Sequence, residues 1–287
     1  GAKIVIISHL GRPDGERKAE FSLTPIHQHL EKLLNQEILF CPEIIGPKTE
    51  SAINALQKGQ IALLENIRFL PGEEKCDLEL SAQLAKLGDI FVNDAFGTAH
   101  RAHASTYGIT KHLPAYAGLL MEKEINSLAP LLTNDIKKPL TMIFGGAKID
   151  TKIGIIKNFL DKADHILLGG GIANTFLYAQ GHEVGASLYE KDKKDLALEI
   201  LEKATNKIQL PTDFTITDEK ILDIGPETIK KFTENNKKSA TIIWNGPLGL
   251  YELPQYKKGT AEIAKALSES QAQTIIGGGD TADAVHK

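Results

Sequence analysis

Arginine is nearly missing from this chain of 287 residues. Arg12, Arg17, Arg68 and Arg101 are the whole supply, and every later cation is a lysine or a histidine. Cysteine is scarcer still: Cys41 and Cys76 have neither the spacing of metal ligands nor the number needed for a disulfide framework, which fits a reducing, cytoplasmic setting. No apolar run approaches the length of a membrane span. The opening GAKIVIISHL lacks the charged start and long apolar stretch of a signal peptide. A formal net charge of −4 gives no basic excess, which excludes a general binder of nucleic acid or of membrane surfaces. The phosphate-loop pattern GxxxxGK[ST] is absent. A clean GxGxxG followed by a ribose-binding acid is absent too, so a nicotinamide dehydrogenase rests only on the loose match GGGIANTF (169–176). There is no low-complexity segment and no short-period repeat.

The length favours two domains over one, and 42% hydrophobic with 24% charged residues is the balance of a globular protein. Short apolar strands are expected at Lys3–Ser8, Glu37–Cys41, Gln60–Leu64 and Asp89–Asn93. Between them lie amphipathic helices such as Thr24–Asn35, with Ile26, Leu30, Leu33 and Leu34 on one face, and Leu78–Leu87, closed by Gly88. A second set of strands is expected at Leu140–Phe144, His165–Leu168, Thr241–Trp244 and Thr274–Ile276, with Thr212–Thr217 as a further one. Helices there fall at Lys152–Ala163, Ile172–Gln180, Lys194–Asn206, Pro226–Asn235 and Gly259–Ser268. Such alternation predicts an α/β fold with parallel sheets and right-handed crossovers. Gly118–Thr133 is a longer helical pattern that either joins two domains or is one more crossover.

The chemistry gathers at strand ends. Leu140–Phe144 runs into Gly145-Gly146 and then Lys148 and Lys152, either a plain strand–turn–helix or a cradle for phosphate. Three sister strands end alike, at Gly169-Gly170-Gly171, at Asn245-Gly246 and at Gly277-Gly278-Gly279. Ligands of open parallel sheets sit at such ends; tight turns alone would explain one or two of them, whereas the four together predict backbone that closely approaches a ligand. Asp280, next to Thr281, either caps a helix or binds Mg²⁺; Glu252 either accepts from a ribose or is merely solvated. In the first half, Arg12, Arg68 and Arg101 follow strands, with His9, His100 and His103 in the same loops, which suits a small acidic ligand. Arg17, in the charged run DGERK, reads as a solvated residue.

These residues stand in motifs that closely resemble phosphoglycerate kinase over essentially the whole chain: SHLGRP (8–13), LLENIRF (63–69), FVNDAFGTAHRAH (91–103), FGGAKIDTKIG (144–154), LLGGGIANTFL (167–177), LDIGPET (222–228), IIWNGPLGLYE (242–252) and IIGGGDTA (275–282). The resemblance implies two Rossmann-like parallel-sheet domains joined by a helix, with a cleft between them: residues 1–117 for 3-phosphoglycerate or 1,3-bisphosphoglycerate, 118–133 as connector, and 134–287 for Mg²⁺ with ADP or ATP. It puts His9, Leu10, Gly11, Arg12, Arg68, His100 and Arg101 at the substrate. It puts Lys148, Lys152, Gly169, Gly170, Asn245, Glu252, Gly278, Gly279, Asp280 and Thr281 at the nucleotide, with Lys148 facing the transferring phosphoryl group and Asp280 on the metal. A monomer is expected, with in-line transfer and hinge closure. The family's Asp-x-Asn strand and catalytic arginine precede the position of Gly1, and a further glycine-rich loop and tail follow that of Lys287. The chain therefore reads as a fragment; should those ends be absent from the molecule, nucleotide binding is expected to survive and turnover to collapse, whereas a molecule that carries them is expected to be fully active.

Overall fold

The strands of the second half form where β-branched and large apolar residues run without interruption, the pattern of a sheet buried on both faces. The structure, a computed structural model, describes residues 1–133, 136–150 and 152–287. Asn134, where the second domain is expected to begin, Asp135, and Thr151 of the GGAKIDTK turn lie outside the described residues. The chain divides into two compact units, Gly1–Ala129 and Pro130–Lys287, and the division falls inside one helix.

The first unit contains β1 (Ile4–Ile6), α1 (Thr24–Leu34), β2 (Ile38–Cys41), α2 (Pro47–Ala55), β3 (Ile61–Leu64), α3 (Leu78–Ala85), β4 (Phe91–Asn93), β5 (Ala115–Ala117) and the start of α4 (Leu119–Leu132). Its parallel strands form a three-stranded sheet in the order β1-β3-β2 and a separate pair, β4-β5. Cys41, Ile53, Leu64, Leu80 and Leu84 fill the core on one side, and Leu23, Ile38, Ile61 and Leu63 on the other.

Two local expectations fail here. The inward side of α1 is Leu30 with His27 and Glu31, whereas Ile26, Leu33 and Leu34 are exposed. His27 Nε2 lies 2.7 Å from the Ile38 carbonyl oxygen, and Ile38 N–H donates to Glu31 at 3.0 Å, so polar contacts to β2 set the helix rotation. Gly88 does not close α3: the helix ends at Ala85, where Lys86 and Leu87 N–H bond back to Gln83 and Leu84 and tighten the last turn.

The second unit contains β6 (Leu140–Phe144), α5 (Ile153–Phe159), β7 (His165–Leu168), α6 (Gly170–Ala179), α7 (Lys194–Lys203), β8 (Ile208–Gln209), β9 (Phe214–Thr217), β10 (Lys220–Ile224), α8 (Pro226–Lys237), β11 (Thr241–Asn245), α9 (Lys258–Ser268), β12 (Gln273–Gly277) and α10 (Gly279–His286). Five parallel strands lie in the order β12-β11-β6-β7-β8, and β9-β10 form an antiparallel hairpin. Side chains of β6 alternate between two cores. Leu140, Met142 and Phe144 pack with Ile156, Ile172 and Phe176, while Ile143 packs with Trp244, Phe232 and Ile263. The register levels the strand tips, pairing Asn245 with both Phe144 and Gly277, and Phe144 with Leu168.

β10 also delivers Asp223 to a site 1% exposed. Its carboxylate accepts from Gly259 N–H at 2.7 Å and Ile224 N–H at 2.9 Å, which ties the hairpin to the start of α9. Burial pushes Asp223 up to about 6, against the pull of those two donors. The folded state therefore holds the proton at pH values where the unfolded chain has lost it, so stability falls as pH rises from the ordinary carboxylate range through about 6. We expect Asp223 to contribute a decline of up to roughly 3 kcal/mol over that window and Asp223→Asn to flatten it. Urea unfolding followed through Trp244 fluorescence at pH 4.5, 5.5 and 7 checks this; equal slopes in the two proteins would refute it.

Candidate active site

In the first unit, adjacent strands β1 and β3 end in loops that fasten to each other. Ile67 N–H donates to the Ser8 carbonyl oxygen and Gly15 N–H to that of Arg68, at 3.1 and 3.2 Å. The Asn66 amide donates to the carbonyl oxygens of Leu10 and Phe21 at 2.8 and 2.9 Å. Behind it, buried Glu65 accepts from Leu23 and Asn66 N–H and from the Ser22 hydroxyl, each at 2.7 Å. Gly11, at φ +63, is required here: a Cβ would stand 2.4 Å from the Phe21 ring.

This frame holds Arg68, 6% exposed. Its Nη1 donates to the Gly11 carbonyl oxygen at 2.8 Å, and its Nε lies 3.3 Å from Glu74 Oε1. His9 is near enough to feel Arg68, Arg101 and His103. Burial first, then those cations, hold its imidazole below the ordinary range, with Glu74 opposing. His9, Arg68 and Arg101 are thus brought together, while Leu10, Gly11, Arg12 and His100 stand exposed on the same loops. Arg17 is exposed but not simply solvated, because its guanidinium lies 5.5 Å from the Phe69 ring centroid and donates to the Pro42 carbonyl oxygen at 2.7 Å. Glu74 escaped the sequence reading, as did Glu73, which accepts from Ser105 and lies 3.6 Å from His103 Nδ1. The GEE that follows IRFLP was the available clue.

In the second unit the glycine-rich ends of β6, β7, β11 and β12 meet. Many of these glycines serve the approach of one loop to another. A Cβ on Gly145 would stand 2.0 Å from the Pro247 carbonyl oxygen, on Gly169 2.5 Å from Leu248, and on Gly171 2.5 Å from the Ala147 carbonyl oxygen. Gly146 N–H donates to Pro247 at 2.8 Å and Gly170 N–H to Leu248 at 3.0 Å. The GGG of GGGIANTF is accounted for by this packing. Gly146 and Gly279 differ, with no atom within 4 Å of a built Cβ, and at Gly278 such an atom meets Thr281 and Asn245 no closer than 3.4 Å. Open backbone therefore remains at the ends of β6 and β12.

Lys148 is exposed and Lys152 half-buried. They do not share a helix face, because α5 begins only at Ile153 and a turn precedes it, with Ile149 buried beneath. Lys152 is held below its ordinary range by burial, and the charge of Asp280 opposes this. Asp280 sits in the first turn of α10, whose cap position is Gly278 at φ 92, a residue with no side chain to offer. The capping role considered for Asp280 is therefore not the one it plays. Thr281 is buried; its hydroxyl accepts from Gly246 N–H at 2.7 Å and donates to the Gly277 carbonyl oxygen at 2.9 Å, so it binds β11 to β12. Asn245 Oδ1 is buried without a hydrogen-bond partner among the described residues. Glu252 is exposed beside Tyr251, whose hydroxyl donates to Asp283 at 3.0 Å. Burial first, then Asp283, Glu252 and Asp280, push that phenol up to about 12.

A cluster of cations on buried scaffolding thus stands in one unit, and lysines with open glycine backbone stand in the other. The sequence model described as phosphoglycerate kinase matches residues 1–287. The phosphoglycerate kinase of Thermosipho africanus is 47% identical over 314 residues, covering 100% of this chain and 78% of that protein. That of Pelotomaculum thermopropionicum is 45% identical with the same coverage, 100% and 78%. Among solved structures, phosphoglycerate kinase from Coxiella burnetii matches with a TM-score of 0.84 at 38% identity, over 99% of this chain and 77% of its own. That from Pyrococcus horikoshii matches at 0.85 and 30%, over 100% and 78%. No helix among the described residues is long and apolar enough to cross a membrane. With its motifs, its parallel-sheet folds and its relatives in agreement along the whole length, the chain belongs to the phosphoglycerate kinase family.

Proposed function

We propose that this kinase moves a phosphoryl group reversibly between 1,3-bisphosphoglycerate and ADP, giving 3-phosphoglycerate and ATP. The observation that carries the reading is the pairing, in one chain of this family, of a histidine–arginine cluster with a lysine and open-glycine cluster, each at the carboxyl ends of parallel strands. His9, Arg12, Arg68, His100 and Arg101 hold the phosphoglycerate, with the backbone of Leu10 and Gly11 against it. Lys148 and Lys152 take the nucleotide phosphates, Gly278 and Gly279 let the backbone approach them, and Glu252 receives the ribose. Gly169, Gly170 and Thr281 shape that site through the loops they join.

Mg²⁺ fits the donor set, because such a cation takes one or two carboxylates plus substrate phosphates rather than an all-protein cage. Asp280, in the first turn of α10, would supply the carboxylate, while Asn245, at the tip of the neighbouring strand β11, belongs to the nucleotide side of the site. When bound, Mg²⁺ neutralises charge on the phosphate oxygens. The acceptor carboxylate is already ionised at pH 7, so the protein needs no general base. Its own work is charge and alignment: Lys148 stabilises the transferring group while the arginines fix the acceptor. Ligands held on separate units call for a closure that brings them in line and expels water.

Calorimetry with Mg·ADP and with 3-phosphoglycerate, followed by a coupled assay of ATP consumption, tests this; the reading falls if neither ligand binds or no phosphoryl group moves. Lys148→Met is expected to lower kcat about 10²- to 10³-fold, the scale of losing one preorganised charge donor. Arg68→Lys is expected to raise the 3-phosphoglycerate KM with little change in affinity for Mg·ADP.

His9 gives a pH test. Its imidazole is held low by burial and neighbouring cations, and a bound anion favours the protonated form. Binding of 3-phosphoglycerate near pH 7 should therefore take up protons, seen as a dependence of the binding heat on buffer ionisation enthalpy, and His9→Gln should reduce that uptake. Glycine positions give another. Gly279→Ala should keep the fold yet weaken ADP binding, since its Cβ enters open space, whereas Gly145→Ala should unfold the second unit because its Cβ would enter backbone. Thermal melts alongside ADP titrations separate the two effects.

A further inference from the structure

The turn that carries the two cradle lysines is held from outside. Gly145 and Gly146 anchor its start to the loop after β11, but its middle is gripped by residues 188–193, the segment leading into α7. Ile149 N–H donates to the Glu190 carboxylate, and Lys193 Nζ lies 2.9 Å from Asp150 Oδ1. That segment is itself fastened to α6. Glu190 N–H donates to the Thr175 hydroxyl and the Asn174 amide to the Leu188 carbonyl oxygen, both at 3.1 Å. The Tyr189 and Tyr178 rings pack at a tilt of 41° with centroids 4.7 Å apart. Asn174 and Thr175 are buried, as is the Ile149 side chain, so both ends of the strap rest on rigid ground.

Two consequences follow from the chemistry of these groups. Ile149 adjoins Lys148, so fixing its amide and its side chain leaves the backbone at Lys148 little rotational freedom. Asp150 lies two residues from Lys148 and two from Lys152, so its carboxylate joins that of Asp280, whose charge reaches Lys152, as a negative charge that would oppose a bound phosphate. Lys193 is held above its ordinary range chiefly by its hydrogen bond to Asp150. The pairing thus offsets, on the strap side, a charge that otherwise acts against the ligand.

We propose that Glu190 and Lys193 are positioning residues for nucleotide binding. Glu190 fixes the backbone between Lys148 and Lys152, and Lys193 neutralises Asp150 so that the cradle keeps its positive potential. The proposal rests on the nucleotide-phosphate reading of these lysines. It extends that reading to residues that touch no ligand.

The test is calorimetric titration with ADP in EDTA at low salt, where electrostatics alone is read, with thermal melts of every variant. Lys193→Met is expected to weaken ADP binding about three- to fivefold, the upper end of what one partly exposed charge pair contributes. Adding Asp150→Asn to Lys193→Met is expected to restore affinity to within about twofold, because the uncompensated carboxylate is gone. Glu190→Ala is expected to weaken binding similarly, and Glu190→Gln to recover most of it, since an amide oxygen still accepts the Ile149 N–H. A merely structural strap predicts the opposite: losses that track the melting temperature and a double variant worse than either single one. That pattern overturns the proposal, as does wild-type affinity in both Lys193→Met and Glu190→Ala. If the unmodified protein binds no ADP, the nucleotide reading fails first and this inference with it.

Discussion

The second unit depends on backbone meeting backbone at the tips of its sheet. Gly145 approaches Pro247, Gly169 approaches Leu248 and Gly171 approaches Ala147 at separations where any Cβ would collide. Hydrogen bonds from Gly146 and Gly170 N–H then cross the same gaps. These contacts satisfy polar groups that the ends of parallel strands leave over, and they do so without side chains, which leaves the upper surface of the loops open. Register contributes equally. Because Phe144, Leu168, Asn245 and Gly277 end level with one another, every loop leaves the sheet at one height and can reach its neighbour.

Much of this was legible in the sequence because apolar runs that stop at glycine mark both a strand and its end. β6 and β7 fall at the expected residues, and β11 and β12 extend them slightly. What was not legible has a common cause: it depends on partners distant in the chain. Ile208–Gln209 is too short to show a period, and β10 alternates poorly because Asp223 sits inward, held by Gly259 on another element. The rotation of α1 followed His27 and Glu31 rather than its leucines, since bonds to Ile38 outweigh a weakly buried apolar face. At the site, residue types suggested anion-binding chemistry. They did not show which glycines close upon other loops and which, like Gly146 and Gly279, leave space above them. Nor could spacing reveal Glu74, which reaches Arg68 only because the loop after Phe69 turns back.

The use of arginine at position 68 follows from where that charge is carried. Arg68 is buried, with Glu74 at its Nε and the Gly11 carbonyl oxygen at its Nη1. A guanidinium keeps its proton in such a place and divides its donors between scaffold and ligand. An ammonium there would be driven toward neutrality by desolvation. Lys152 shows that pressure directly: half-burial already pulls it down, and the opposing influence is the carboxylate of Asp280. Asp280 thus has an influence on Lys152 that needs no metal, since its charge opposes the downward pull of burial. The first unit carries an interior cation at Arg68, a place that suits a guanidinium. The second unit presents open backbone and loop-edge lysines, and at Lys152 the charge of Asp280 offsets part of the desolvation.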